Sequence, residues 1–265
     1  MAGRLVVCPT PIGNLEDVTL RVLGALREAD VIACEDTRRT RVLLERHGVS
    51  AETISYHEHN ERERARQLVE RMLAGETVAL VSDAGMPLVS DPGFVLVQEC
   101  IGAGLEVEVL PGPSAALTAL VASGLPSDSW RFAGFLPRKA GALTDLFART
   151  PDTLVAFESP NRVAVSLAAL AAVDSMRPVA VCRELTKLHE EVVRGTAAEL
   201  AEHFAGTKIK GEIVVVIGAA AAGEADLAAG LDAVRRLIEA GAKRRAAASV
   251  VAELTGLSAN DLYDR

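Results

Sequence analysis

Short apolar runs alternate with amphipathic helical stretches along most of this chain, and that alternation limits the folds open to it more than any other feature. RLVVCP reads as a strand, VTLRVLGALREA as a helix with Leu20, Leu23 and Leu26 on one face, and VIACED as the next strand. TRRTRVLLERHG is a helix closed by Gly48, at the position where a left-handed residue is wanted. TISYHEH is a strand, and ERERARQLVERMLAG sets Ala65, Leu68, Val69, Met72 and Leu73 at the spacing of one helix face. TVALVS and EVEVLPG are strands on either side of the helix FVLVQECIGAG, and SAALTALVASG is an apolar helix. This order predicts an α/β fold with mainly parallel sheets covered on both faces.

The pattern breaks near Gly124-Leu125-Pro126-Ser127, where RFAGFLPRKAG runs into a basic Pro/Gly loop. A second set follows: TLVAFESP, the helix RVAVSLAALAAV, PVAVCREL, EEVVRG, the helix AAELAEHF, and GEIVVVIG. An alanine-rich linker, AAAAGEAD, then leads into an all-helical tail, in which RRAAASVVAELTGLSANDLY has helix-turn-helix character around Thr255-Gly256-Leu257-Ser258. The expected organisation is two α/β/α domains, 1–122 and 123–220, with a cleft between them, and a small helical tail, 221–265.

Composition narrows the class further. With 49% hydrophobic and 3% aromatic residues in 265, the chain is rich enough in apolar side chains to build cores. No apolar run reaches the roughly 18 residues of a membrane span. MAGRLVVCPTP enters a strand at once and lacks the layout of a signal peptide, so a cytoplasmic location is expected. Cys8, Cys34, Cys100 and Cys182 are scattered and form no CxxC pair, which favours small buried thiols over a disulfide or a zinc site. A net charge of −8 argues against nucleic-acid binding over the whole surface but leaves room for a local basic patch.

Chemistry concentrates at the strand ends, where open α/β sheets bind ligands. The first ends in Cys8-Pro9-Thr10-Pro11-Ile12-Gly13-Asn14, the second in Glu35-Asp36-Thr37-Arg38, the third in His57-Glu58-His59-Asn60. The fourth ends in Ser82-Asp83-Ala84-Gly85-Met86-Pro87 and the fifth in Pro111-Gly112-Pro113-Ser114-Ala115. The fourth loop is unusual, because a second turn, Ser90-Asp91-Pro92-Gly93, follows before any helix resumes. GxGxxG is missing from the first strand–helix turn and GxxxxGK[ST] from the whole chain, so the ligand is not bound in either of those phosphate-cradling ways.

Taken together, PTPIGNLEDVT, EDTRRT, SDAGMPLVSDPG, PGPSAALTAL, SGLPSD, GFLPRK, FESPNR, RELTKLHEEV and KGEIVVVIG resemble the tetrapyrrole-methylase-like superfamily of S-adenosylmethionine enzymes. Within it they are most similar to the branch that methylates ribose 2′-oxygens of small-subunit ribosomal RNA. The resemblance runs through residues 4–218 in order, and the helical tail is similar to that branch's C-terminal extension. EDTRRT and SDAGMPLVSDPG set it apart from porphyrin-pathway relatives, which carry a GDP-type loop. Met86 departs from the threonine expected there, a change that a backbone contact survives.

The resemblance implies S-adenosylmethionine as cofactor, folded between the two domains. The double turn would wrap its methionine half through Asp83, Ala84, Gly85 and Met86, with Val89 nearby. Pro11, Ser114 and Ala115 match further cofactor-contacting positions, and Glu158 and Leu185 match positions flanking the adenosine. It further implies a homodimer acting on small-subunit (16S) rRNA, within the ribosomal subunit, at the ribose of a decoding-region cytidine. A tetrapyrrole-like acceptor is the alternative within the superfamily, and a non-catalytic nucleic-acid binder working through the tail is the alternative outside it.

A ribose hydroxyl is a poor nucleophile, so a general base within hydrogen-bond reach would help. Asp36, His57, His59, Glu158 and Glu184 are candidates, with Asp36, His57 and Glu184 carried forward. Asp36 also suits the cap of the helix starting near Thr37. His57 and His59 lack a third convergent ligand, and no metal is expected. For RNA phosphates the candidates are Arg38, Arg39 and Arg41 at a helix start, Arg138 and Lys139 in the Pro/Gly loop, and Lys243, Arg244 and Arg245 in the tail.

Overall fold

A computed structural model describes residues 3–220 and 224–264. It divides into a larger unit, Met1–Ala219, and a smaller one, Ala220–Arg265. In the larger unit β1 (Arg4–Cys8), β2 (Val31–Cys34), β3 (Glu52–Ser55), β4 (Val78–Val81) and β5 (Glu106–Val109) form an all-parallel sheet in the order β3-β2-β4-β1-β5. The inner strands β2 and β4 are buried at every position, as continuous apolar runs such as VIAC and VALV require. The helices α1 (Leu20–Glu28) and α2 (Thr37–Arg46) cover one face through Val22, Leu26, Leu43 and Leu44. The other face is covered by α3 (Glu61–Leu73) and α4 (Phe94–Gly102) through Ala65, Leu68, Met72, Leu96 and Cys100. Each large apolar side chain sealed this way contributes about 1.5–3 kcal/mol.

The second sheet contains β6 (Trp130–Phe135), β7 (Thr153–Glu158), β8 (Pro178–Arg183), β9 (Glu191–Thr196) and β10 (Ile213–Ile217), ordered β6-β7-β10-β8-β9. The α/β class and the two covered sheets match the sequence reading, but parallel pairing does not extend through this one. Only β6 and β7 pair in parallel, while β10 is antiparallel to both β7 and β8, and β8 is antiparallel to β9. The cause is the connection: residues 184–190 join β8 to β9 without a helix, and a parallel neighbour needs a longer crossover.

Three helices, α6 (Ala140–Arg149), α7 (Val163–Val173) and α8 (Ala197–Phe204), cover one face of the second sheet. Of these, α6 was not anticipated, because it follows a Pro/Gly loop and Lys139 supplies no side-chain cap to mark its start. The other face is covered by α5 (Ala115–Ser123) through Ala116, Ala119 and Leu120. The chain therefore crosses to the second sheet before residue 122, at Ser114. Arg177 ties α6 to the ends of the inner strands: its buried guanidinium donates to the carbonyls of Gly218, Phe147, Thr150 and Asp152.

The smaller unit is three helices, α9 (Glu224–Glu239), α10 (Arg244–Thr255) and α11 (Ala259–Asp264), around Val234, Ala247, Ala248, Val251, Leu257 and Leu262. Gly256, in the left-handed conformation at φ 73°, ends α10 and allows the short turn into α11. Residues 221–223 of the expected linker lie outside the described residues. Among the described residues no helix is long and apolar enough to cross a membrane.

Candidate active site

Beyond the carboxyl ends of the first sheet, the loops after β1 and β4 are stitched together. Thr10 and Gly85 exchange backbone hydrogen bonds of 2.9 Å in both directions, and the Thr10 hydroxyl donates to Ser82 O at 3.0 Å. This pairing requires Gly85 at φ 79°. A Cβ on Gly85 would meet only ordinary contacts, Ile12 Cγ2 at 3.5 Å and Pro113 O at 3.9 Å. Conformation, and not lack of space, is what calls for glycine here. The β1 loop is also clamped to the β8–β9 connection: Asn14 N donates to Thr186 Oγ1 at 3.0 Å, and a Cβ on Gly13 would strike Lys187 at 2.5 Å.

A cavity of about 330 Å³ opens between these loops and the second sheet. One wall is Ile12, Ala84, Gly85, Met86, Val89, Ser90 and Asp91, with Ser114 and Ala115 from the start of α5. The opposite wall is Phe135, Phe157, Glu158, Ser159 and Pro160, with Gly211, Glu212, Ile213 and Val214. Its volume falls at the lower end of the range for small-molecule sites, about 300–1,000 Å³. The non-glycine residues with positive φ among the described residues are Leu88 (φ 72°) and Ser90 (φ 69°), in the double turn that lines this cleft, and Glu184 (φ 53°) and Thr186 (φ 67°), in the β8–β9 connection clamped to the β1 loop. Backbone strain of that kind persists where the surrounding structure imposes it, and it gathers at functional sites.

Seven of the ten residues expected to hold a cofactor line the cavity: Ala84, Gly85, Met86, Val89, Ser114, Ala115 and Glu158. The other three stand behind it. Pro11 is buried next to Ile12, and Leu185 is buried against Ile12 and Val214. Asp83 joins two loops, its Oδ1 accepting from Asp36 N at 3.0 Å and its Oδ2 lying 3.5 Å from Arg39. Glu158 is fixed, with Oε1 accepting from Ser159 N at 2.7 Å, Oε2 from the Ser166 hydroxyl, and Arg162 at 3.3 Å.

The three expected bases, Asp36, His57 and Glu184, are not among the residues that line the cavity. Asp36 caps α2, accepting from Arg38 N at 2.8 Å, and its carboxylate is also gripped by the Arg38 side chain at 3.0 and 2.7 Å. Hydrogen bonds from Arg38 hold its carboxyl far below the ordinary range, which makes it a poor proton acceptor. Glu184 accepts from Lys187 Nζ at 2.8 Å and Glu212 N at 2.9 Å, so its carboxyl is lowered too, and it sits behind Gly211. β3 ends at Ser55, so His57 and His59 lie in the following turn. His57 Nε2 is 3.4 Å from the Asn60 amide, and its Nδ1 is buried without a partner.

One carboxylate that the sequence reading passed over does line the cavity. Asp91, read from sequence as a turn former, is half-buried there. Burial pushes its carboxyl up to about 6, Glu35 and Asp83 add to the rise, and a hydrogen bond with Ser82 opposes it. Glu35 is raised by the same mixture of burial and the Asp83 charge. The sequence signal was the excess length of the loop, not the residue type. Of the basic candidates, Arg38 and Arg39 are exposed at the start of α2 and Arg138 and Lys139 before α6, the latter loop held by Arg162 bonds to Leu136 O and Pro137 O. Lys243, Arg244 and Arg245 are exposed at the start of α10, with the Arg244 guanidinium 5.8 Å from the Tyr263 ring. Among the described residues no group of three His, Cys, Asp or Glu side chains is arranged to hold a metal ion.

The fold has close counterparts. Uroporphyrin-III C-methyltransferase from Thermus thermophilus, solved in complex with S-adenosylhomocysteine, superposes with a TM-score of 0.58 at 24% identity, over 82% of this chain and 97% of that one. Diphthine synthase gives 0.63 at 16% identity, over 82% and 90%. The description of tetrapyrrole (corrin/porphyrin) methylases matches residues 4–201, so the class is that of a methyltransferase. Nearer in sequence, the ribosomal RNA small subunit methyltransferase I of Mesorhizobium japonicum is 50% identical over 98% of this chain and 90% of its own. Its namesakes are 42% identical in Streptococcus pyogenes, over 100% and 94%, and 44% in Thermotoga maritima, over 81% and 98%. The chain belongs to the tetrapyrrole methylase family and, within it, to the ribosomal RNA small subunit methyltransferase I group.

Proposed function

We propose that this protein uses S-adenosylmethionine to methylate small-subunit ribosomal RNA, at the ribose 2′-oxygen of a cytidine in the decoding region. The observation that carries the reading is the cavity. Its wall is assembled from the loops of both sheets and is rich in backbone and small residues, in a chain 50% identical to an rRNA methyltransferase.

The residues present fit the cofactor. A Cβ on Gly211 would lie 2.5 Å from the Glu184 side chain, so that wall stays bare backbone. Ala84 and Met86, on either side of the Gly85–Thr10 pair, offer main-chain polar groups for an amino acid's two ends, while Ile12, Phe157, Ile213 and Val214 provide an apolar surface for a flat base. Glu158 is held in place by Ser166 and Arg162, which lets it act as a fixed hydrogen-bond acceptor. When bound, S-adenosylmethionine supplies an electrophilic methyl group. The chain's own share is to orient the acceptor hydroxyl against it, worth up to about 7–11 kcal/mol in favourable cases.

The basic side chains of Arg38, Arg39, Arg138 and Lys139 would bind phosphates, with Lys243, Arg244 and Arg245 adding a second contact from the tail. None of them is needed to read bases. The 2′-hydroxyl itself distinguishes RNA from DNA. We further propose that the protein works as a cytoplasmic homodimer. The deciding experiment is methylation of undermodified small ribosomal subunits, with the product nucleoside identified by mass spectrometry. A 2′-O-methylcytidine product supports the reading, and a methyl on a base nitrogen or on a small-molecule carbon defeats it.

A further inference from the structure

We propose that Asp91 is the proton acceptor for the hydroxyl that becomes methylated. The proposal rests on the methyl-transfer reading above and deepens it by naming the group that activates the acceptor. Three carboxylates stand in the cavity wall, and two are already committed. Glu158 takes hydrogen bonds on both oxygens and an arginine, and Glu212 binds Lys187 Nζ at 3.0 Å. Asp91 has no lysine or arginine partner among the described residues, and the Ser82 hydroxyl beside it donates to Gly85 O at 3.2 Å.

Its position is built, not incidental. Ser82, just after β4, lies beside it, and Leu88, Ser90 and Gly93 take positive φ in the same loop. Gly93 cannot be replaced without contact, since a Cβ there would lie 2.7 Å from Leu88 Cδ1 and 3.0 Å from Leu80 Cδ2. The twelve residues 82–93 therefore do what a short connection could not: they carry one carboxylate into the wall of the cavity and then cap α4.

The charged and titratable groups around Asp91 come from every side. Asp83 is on its own loop, Glu35 follows β2, Arg39 on α2 pairs with Asp83, and His57 after β3 faces Glu35. Across the cavity are Glu158 with Arg162, and Glu212. Burial, with the acidic Glu35 and Asp83 nearby, makes the site favour a proton on Asp91 more than bulk water does, which suits an acceptor working just above neutrality. In the step itself the hydroxyl proton passes to an Asp91 carboxylate oxygen while the hydroxyl oxygen's electron pair forms the new O–CH₃ bond. The pair of the breaking S–CH₃ bond stays on sulfur and cancels its positive charge, and Asp91 later releases the proton to solvent.

The test compares Asp91→Asn and Asp91→Glu with the wild type in single-turnover methylation of undermodified small subunits and in calorimetry with S-adenosylmethionine. Asp91→Asn should lose about 10²-fold or more in rate with unchanged cofactor affinity, and Asp91→Glu should recover part of it. The wild-type rate should rise through about pH 6, and that limb should vanish in Asp91→Asn. Carbon NMR of labelled aspartate gives a readout independent of turnover: one carboxyl should titrate near 6 in the wild type and be missing from Asp91→Asn. Wild-type transfer by Asp91→Asn, or no aspartate carboxyl titrating above the ordinary range, would overturn the assignment. A methyl found elsewhere than on ribose oxygen would instead defeat the methyl-transfer reading, while the NMR titration still decides whether Asp91 is the poised carboxyl.

Discussion

Two strand-to-helix connections of the first sheet each carry an aspartate and treat it in opposite ways. β2 reaches α2 through only Glu35 and Asp36, and Asp36 spends its carboxylate on capping the helix and holding Arg38. β4 reaches α4 through residues 82–93, and Asp91 in that loop has neither a cap to make nor, among the described residues, a cation to hold. One carboxyl is pulled down by its donors and the other pushed up by burial and like charge. The difference teaches that loop length, and not residue type, separates a structural aspartate from a chemically available one. A short connection forces its polar residue to satisfy the helix it starts, whereas a long one can place that residue elsewhere.

The comparison breaks most visibly in catalysis. Asp91→Asn should depress single-turnover methyl transfer by about 10²-fold or more, whereas Asp36→Asn, which still caps a helix, should cost less than about tenfold. Equal losses would erase the distinction. Glycines in the long loop sharpen it next. Gly93→Ala combines φ 139° with contacts at 2.7 and 3.0 Å, and should lower unfolding free energy in urea by on the order of 1–3 kcal/mol. Gly85→Ala, with room for its Cβ but φ 79°, should sit at the low end of that range, about 1 kcal/mol, and show its main effect as weakened S-adenosylmethionine binding in calorimetry.

The pH dependence gives a smaller, signed effect. Because Asp91 is raised to about 6 in the folded protein, the folded state keeps this proton to higher pH than the unfolded chain does. Its ionisation therefore removes stability as pH rises from about 4, the ordinary aspartate value, to about 6. Asp91→Asn, which cannot ionise, should melt above the wild type at pH 7.5 and lose that advantage at pH 4. An advantage that grows on acidification would contradict the environment assigned to Asp91. Smallest of all, Asp36→Ala should lower Tm by about 2–4 °C through loss of the cap, with cofactor affinity unchanged.

Much of this was legible in the sequence because it is local. The inner strands of the first sheet are unbroken apolar runs, Gly48 and Gly124 close their helices with φ of 61° and 71°, and the double turn at 83–93 announced itself by length. The antiparallel turn of the second sheet was hidden, since it depends on the chain running from β8 to β9 without a helix, and VCREL followed by EEVVRG does not show where β8 stops. The packing side of α5 was hidden for a similar reason, as a helix apolar nearly all round has no face that names its partner. Asp91 was missed because its environment comes from burial in the cavity wall and from Glu35 and Asp83, brought to it by strand order and not by spacing.

The central claim is that the cavity between the two sheets holds the methyl donor, and a crystal structure with S-adenosylhomocysteine tests it most directly. The account predicts the ligand between Ala84–Met86 and Gly211–Val214, its amino-acid end on the main chain of the double turn, with the Asp91 carboxylate left facing the acceptor side. A ligand bound elsewhere, or one whose binding leaves residues 83–93 without contact, would contradict it.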